Sequence, residues 1–271
     1  MTLGARTHLG GAGPKEGGPV RRYLAVRPEA DGTRTRLLCF HHAGAGALSY
    51  AGWRRRVGPG VTVLPVRLPG RETRLREPRI TDAGRLMEEL QADLGPLLDA
   101  PHAFYGHSMG ALVAYRFALH RAEARLRPPV LLLAGACAAP QLPSALLDRP
   151  GLESLTDEEL TRVMPEEESM PEALRARPAL LRATLDTLRA DLLLARSLRA
   201  APVRRLPCSV RAYAGRDDRV VTVGQVSAWK QCSGGDFRLS TVPGAHFFVR
   251  GRDVPRAVGR ALRSATPVTT G

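Results

Sequence analysis

A serine flanked at two residues' distance by glycines, Gly106-His107-Ser108-Met109-Gly110, lies between the apolar stretch Ala103-Phe104-Tyr105 and the helix-forming run from Ala111 to His120. A strand that turns directly into a helix forces the residue at the turn into a strained conformation and exposes its side chain. Glycines on either side leave room for that turn to pack. Chance would supply the five-residue pattern about once in ten chains of this composition. The strand signal before it and the helix signal after it make Ser108 a candidate nucleophile.

A serine hydroxyl needs a base to take its proton and a third group to orient that base. Where a nucleophile of this kind sits on an α/β sheet, the chain order is serine, acid, histidine. Gly215-Arg216-Asp217-Asp218-Arg219-Val220 follows the strand signal Val210 to Ala214, and Pro243-Gly244-Ala245-His246-Phe247-Phe248 follows Phe237 to Val242. Of the seven histidines, His246 alone lies beyond the last strand signal, which makes it the candidate base. Asp217 and Asp218 both qualify as the acid; Asp218, three residues after the turn glycine and two before Val220, is favoured.

The oxyanion formed by attack on a carbonyl needs two donors. One is the backbone N–H of Met109, directly after the serine, and the other comes from a loop behind an early strand. That loop is His41-His42-Ala43-Gly44-Ala45-Gly46-Ala47, with Ala43 the expected donor. The adjacent histidines do not read as a metal site, because successive side chains of an extended segment point apart and no carboxylate cluster accompanies them. The loop lacks G-x-G-x-x-G and the phosphate-binding lysine of a P-loop. No metal and no cofactor is expected.

These residues must be carried by a sheet. Strand signals fall at Arg22 to Val26, Arg36 to Phe40, Val61 to Val66, Ala103 to Tyr105 and Val130 to Ala134. Thr81 or Asp82 can cap a helix bearing Leu86, Leu90, Leu94 and Leu97. Strands separated by helical crossovers predict an α/β fold with a mostly parallel, doubly wound sheet. From about 140 to 202 the rhythm breaks into successive helical patterns, which predicts an inserted helical subdomain. Within it Thr156-Asp157-Glu158-Glu159 has the form of a capping box. Leu181, Leu185, Leu188 and Leu192 form an apolar stripe that packs the insertion onto the core or lines an acyl channel, the former being favoured. Glu153, Asp157, Glu158, Glu159, Glu166, Glu167 and Glu168 read as a solvated acidic face. Strand and helix alternation then resumes, closing with a helix around Arg256 to Arg263.

A chain of 271 residues, 44% hydrophobic, suits one such domain over 21–271; the glycine-rich first 20 residues read as a flexible leader. The longest apolar run, Val130 to Ala139, is too short to cross a bilayer, so a cytoplasmic protein without membrane association is expected. Cys39, Cys137, Cys208 and Cys232 show no paired spacing and read as free thiols. The net charge of +14 rests on 40 basic residues, all arginine except Lys15 and Lys230, scattered through every segment. With no basic stripe interleaved with aromatics, this does not describe a nucleic-acid surface. It favours approach by an acidic protein.

Taken together, Cys39-Phe40-His41-His42-Ala43-Gly44 with Trp53, Leu68-Pro69-Gly70-Arg71-Glu72 with Arg74 and Glu77-Pro78, Gly106 to Gly110, Trp229, and Pro243 to Phe248 resemble the type II thioesterases of polyketide synthases and nonribosomal peptide synthetases. The similarity spans nearly everything from Leu37 to Phe248. It differs at His41, where the family has proline, and at Ala45 and Ala245, where it has glycine. The resemblance implies an α/β-hydrolase fold with a helical lid gating an acyl chamber. It also implies hydrolysis of acyl thioesters from the phosphopantetheine arm of acidic acyl or peptidyl carrier proteins, clearing aberrant or stalled chains. Ser108 would be nucleophile, His246 base and Asp218 its orienting acid. Arg71 or Glu72 reads as half of a structural ion pair. An acyltransferase or general esterase would use the same triad, and a noncatalytic carrier-binding protein could retain the fold.

Overall fold

The computed structural model describes residues 21–28, 34–163 and 176–265. Six strands, β1 (Thr35–Phe40), β2 (Val61–Pro65), β3 (His102–His107), β4 (Leu131–Gly135), β5 (Ser209–Gly215) and β6 (Phe237–Val242), form one sheet in the order β2-β1-β3-β4-β5-β6, every pair parallel. β3 and β4 are buried along their whole length, which is why their sequences run apolar without alternating. The two faces of β1 separate cleanly. Leu38 and Phe40 enter a core beneath helices α2 (Ala83–Leu94) and α3 (Met109–Glu123), while Leu37 and Cys39 enter one with α1 (Trp53–Val57) and the last helix.

The chain runs from β1 outward to β2, then crosses back to place β3 on the other side of β1. Such a reversal opens a crevice at the carboxyl ends of the two inner strands, the usual ligand position in an open α/β sheet. β1 ends at the His41 loop and β3 ends at Ser108.

The segment Arg22 to Val26, expected to be a strand, makes only an isolated antiparallel bridge, Leu24 with Val66. Its amides are diverted: the Asp93 carboxylate accepts from Arg22 N at 3.1 Å and Tyr23 N at 2.9 Å, so they cannot extend a ladder along β2. The expected cap of α2 is Asp82, whose side chain accepts from Arg85 N.

After β4 come α4 (Asp157–Val163) and the 23-residue α5 (Pro178–Ala200), then β5, the short α6 (Val223–Ser227), β6 and α7 (Asp253–Ala265). The Thr156 and Glu159 side chains exchange hydrogen bonds with each other's backbone N–H, forming the capping box of α4. The α5 stripe does not pack mainly onto the sheet core. Leu185, Leu188 and Leu192 join Leu152, Leu155 and Leu160 in a cluster that also meets Ala43, Leu192 lines the cavity holding Ser108, and Leu194, Ala195 and Leu198 make the main contact with the sheet core. The helix carries a second apolar face, and it is that face which packs on the core. Glu153, Asp157 and Glu158 are exposed and Glu159 is half-buried, and each pairs with an arginine, Arg196, Arg189, Arg162 and Arg149 respectively. Glu166, Glu167, Glu168 and the leader lie outside the described residues.

The base of α5 is held by Arg116 of α3, 8% exposed, whose guanidinium donates to the carbonyls of Leu198, Ala201 and Pro202. A cation placed there satisfies the unpaired carbonyls at a helix C-terminus and complements its dipole.

Candidate active site

Ser108 lies between the last residue of β3 and the first of α3, with φ 53° and ψ −122°. A non-glycine residue in that region is strained, and the surrounding packing holds it there. Ser108 N donates to Gly135 O of the neighbouring strand at 2.8 Å. A Cβ on Gly106 would overlap the Gly110 carbonyl, and a Cβ on Gly110 would overlap the carbonyl of Phe40. Both motif glycines are therefore required by close approach of backbone, which lets α3 sit hard against β1 and β3.

His246 follows β6 and is buried, and its Nε2 stands 3.2 Å from Ser108 Oγ. Its Nδ1 lies 2.9 Å from Asp218 Oδ2. Because a carboxylate only accepts, Nδ1 carries the proton and Nε2 presents its lone pair to the serine hydroxyl. Asp218 Oδ1 accepts from Val220 N at 2.8 Å and Val221 N at 3.0 Å, which fixes the carboxylate with Oδ2 turned to the imidazole. The Asp218 side chain is fully buried, whereas Asp217 is exposed one residue earlier in the same turn.

A further contact was not visible in the sequence. His107 is buried beside Ser108 in the chain, and its Nε2 donates to the His246 backbone carbonyl at 2.7 Å. The Tyr105 hydroxyl donates to His107 Nδ1 at 3.2 Å, consistent with the same tautomer. Burial holds the His107 pKa well below the ordinary histidine value, so the ring stays neutral. The residue preceding Ser108 thus ties down the loop bearing His246; its place inside the glycine pattern was the available signal.

Ala43 and Met109 border the same cavity as Ser108, a space of about 370 Å³ walled by side chains such as Leu112, Leu146, Leu192 and Val221. Met109 opens α3, so its N–H is a first-turn amide that no helical carbonyl can satisfy. The positive end of the helix dipole faces the same point and favours developing negative charge. Cys137, also in the wall, has its pKa pushed up to about 12 by burial and contributes an apolar thiol. All four cysteines are free and buried.

His41 and His42 are buried, and each turns Nδ1 toward the following carbonyl, at 2.9 and 3.1 Å. Burial lowers their pKa values to about 3 and about 4. Among the described residues, no group of three metal-ligating side chains is assembled, and no helix is long and apolar enough to cross a membrane.

The loop after His42 is gripped from the inserted helix α5. Asp191 of α5, 1% exposed, accepts from Gly44 N at 2.8 Å and forms a two-pronged ion pair with Arg71 at 2.7 and 2.8 Å. Arg71 supplies the structural ion pair expected of the Pro-Gly-Arg-Glu turn. Glu72 instead accepts from Leu48 N at 3.1 Å.

A parallel sheet with a serine elbow at its switch point and a helical insertion above it defines an α/β-hydrolase-type enzyme. The thioesterase domain family model matches residues 35–265, and the chain belongs to that family. A probable cadicidin biosynthesis thioesterase of Streptomyces griseus is 32% identical over 230 residues, 85% of this chain and 61% of that protein, so the chain spans less than two thirds of that relative's length. Among solved structures, the RedJ thioesterase of the prodiginine pathway in Streptomyces coelicolor superposes with a TM-score of 0.78 at 31% identity, covering 92% of this chain and 96% of that one. The type II thioesterase BorB from the borrelidin biosynthetic cluster superposes with a TM-score of 0.75 at 30% identity, covering 90% and 98%.

Proposed function

We propose that this protein hydrolyses acyl thioesters carried on the phosphopantetheine arm of acyl or peptidyl carrier proteins, releasing aberrant or stalled chains from a polyketide synthase or nonribosomal peptide synthetase. The observation that carries this reading is the hydrogen-bonded chain Ser108–His246–Asp218 at the mouth of a largely apolar cavity, in a chain of the thioesterase family. The pathway context rests on similarity to enzymes of such pathways, and the basic net charge suits an acidic carrier.

In this mechanism His246 Nε2 takes the Ser108 proton as Oγ attacks the thioester carbonyl, and the carbonyl electron pair moves to oxygen. The amides of Met109 and Ala43 receive that oxyanion. The C–S bond breaks, the pantetheine sulfur leaves with the proton from His246, and the acyl group stays on Ser108. A water activated by the same Nε2 then attacks, and the acid departs. Asp218 holds the imidazole in the required tautomer and stabilises its charged form. The small aliphatic wall formed by Leu112, Leu146, Leu192 and Val221 suits a hydrocarbon chain, with the lid helix α5 as one side.

The experiment is a parallel assay of acyl-carrier protein, acyl-coenzyme A and simple esters, with release of free acid monitored by mass. Preferred hydrolysis of the carrier-bound acyl group supports the reading. Equal or better turnover of simple esters would make the protein a general esterase, and transfer to an added acceptor in place of water would make it an acyltransferase.

A further inference from the structure

The loop proposed to supply the second oxyanion donor is held partly by its own bonds, Ala45 N donating to His42 O at 3.2 Å and His41 Nδ1 lying 2.9 Å from the same carbonyl, and partly from outside. Gly44, directly after Ala43, has φ +73°, and its N–H is bonded to a carboxylate on a different element, Asp191 of α5. The next carbonyl, Ala45 O, accepts from Arg71 Nη1 at 2.8 Å, and Arg71 is locked to the same carboxylate. Three segments far apart in sequence thus meet in one buried knot: the oxyanion loop, the turn after β2 and the lid helix. Leu188, one turn before Asp191, packs against Gly44, and Leu192, one residue after it, lines the cavity that holds Ser108. Asp191 is 1% exposed and directly precedes Leu192-Leu193-Leu194, a position where an unpaired carboxylate would be costly to bury.

We propose that Arg71 and Asp191 are positioning residues that hold the oxyanion loop in register with lid helix α5, so that the Ala43 donor is aligned only while α5 sits on the loop. This rests on the reading of Ser108 as nucleophile and Ala43 N–H as oxyanion donor. The Ala43 N–H belongs to the His42–Ala43 peptide unit, whose carbonyl is held by His41 Nδ1 and Ala45 N; the Gly44 and Ala45 bonds from Asp191 and Arg71 hold the chain that follows and so keep that turn in place. Displacing α5 removes the acceptor of Gly44 N–H and the counter-charge of Arg71 together. Lid seating and transition-state stabilisation are therefore one event.

The test uses the full chain with Asp191→Asn and, separately, the double variant Arg71→Met with Asp191→Leu. The double variant leaves no buried charge behind and frees the loop. Active sites are titrated first, so that turnover is counted per competent Ser108. Hydrolysis of an acyl-carrier protein and of a small soluble thioester is then measured with inhibition by an alkyl trifluoromethyl ketone, whose serine adduct places an oxyanion in the same position. The expected result is a kcat per titrated site about 10- to 100-fold lower on both thioesters. KM should change less than about threefold, and ketone inhibition should weaken by the same factor as kcat.

Wild-type kcat and ketone affinity in either folded variant would overturn the proposal, as would failure of both variants to fold, which would make the pair a folding element alone. A wild-type protein that neither turned over a thioester nor bound the ketone would contradict the site reading itself. A wild type active on the small thioester but not on the carrier would contradict only the proposed substrate.

Discussion

Asp217 and Asp218 are neighbours in one turn, yet Asp218 alone of the two reaches His246, because Val220 N and Val221 N turn its carboxylate inward. Asp218→Asn should lower kcat by about 10⁴-fold by favouring the wrong imidazole tautomer. Asp217→Asn should stay within about threefold of wild type; steady-state kinetics on a thioester compares the two, and equal losses would contradict the assignment. His107→Phe keeps an aromatic ring but removes the donor to the His246 carbonyl, so kcat should fall about 10- to 100-fold with little change in KM. An unchanged kcat would show that the loop carrying His246 needs no such tether. The meeting of Ser108, His246 and Asp218, and the exclusion of Asp217, were legible, since they depend on chain order and on motifs a few residues long. His107 and Asp191 were not assigned roles, because each acts through a partner more than 100 residues away. The one local sign of Asp191 is its spacing, three residues after Leu188 and one before Leu192, next to the apolar stripe of α5.

The insertion is held by two devices of different reach. Arg116 fixes the C-terminal end of α5 to α3, while Leu152, Leu155 and Leu160 pack against its Leu185, Leu188 and Leu192. Leu160→Ala, at a fully buried position, should cost about 2–4 kcal/mol of local stability. Amide exchange around α4 should then accelerate while β3 and β4 keep their protection; uniform acceleration throughout the sheet would contradict a separate lid cluster. The insertion and the capping box of α4 were readable from broken periodicity and a local pattern. The destination of the leucine stripe was not, because periodicity shows that a face is apolar and not what covers it. The N-terminal strand signal failed for a related reason: apolar content around Leu24 survives, but Asp93 captures the amides that a ladder would use.

Alternation of strand and helix signals along the chain was enough to give a parallel α/β sheet, since each crossover restricts where the next strand can lie. The crevice follows from sheet order: β1 and β3 are adjacent while β2 lies outside, so the His41 loop and Ser108 emerge side by side. The same closure buries several histidines as neutral rings. Burial lowers His41 to about 3, and His42 and His102 to about 4, with His107 well below its ordinary value. Below about pH 6.5 the unfolded chain binds protons that the folded chain refuses, so stability must fall with acidification, by on the order of 1–2 kcal/mol for each such ring by pH 5. Urea unfolding at pH 7.5 and pH 5 checks the sign, and equal or greater stability at pH 5 would contradict the buried neutral assignment. Under the proposed function the elements converge on Ser108 as the residue that receives the acyl group from a carrier. The direct measurement is rapid quenching of the protein with excess acyl-carrier protein, followed by peptide mass analysis. The expected result is an adduct of the acyl mass on the Ser108 peptide that appears and decays as carrier is deacylated, and loss of deacylation by about 10⁴-fold or more in Ser108→Ala. Deacylation at the wild-type rate in Ser108→Ala, with no acyl adduct on Ser108 at any time, would contradict it.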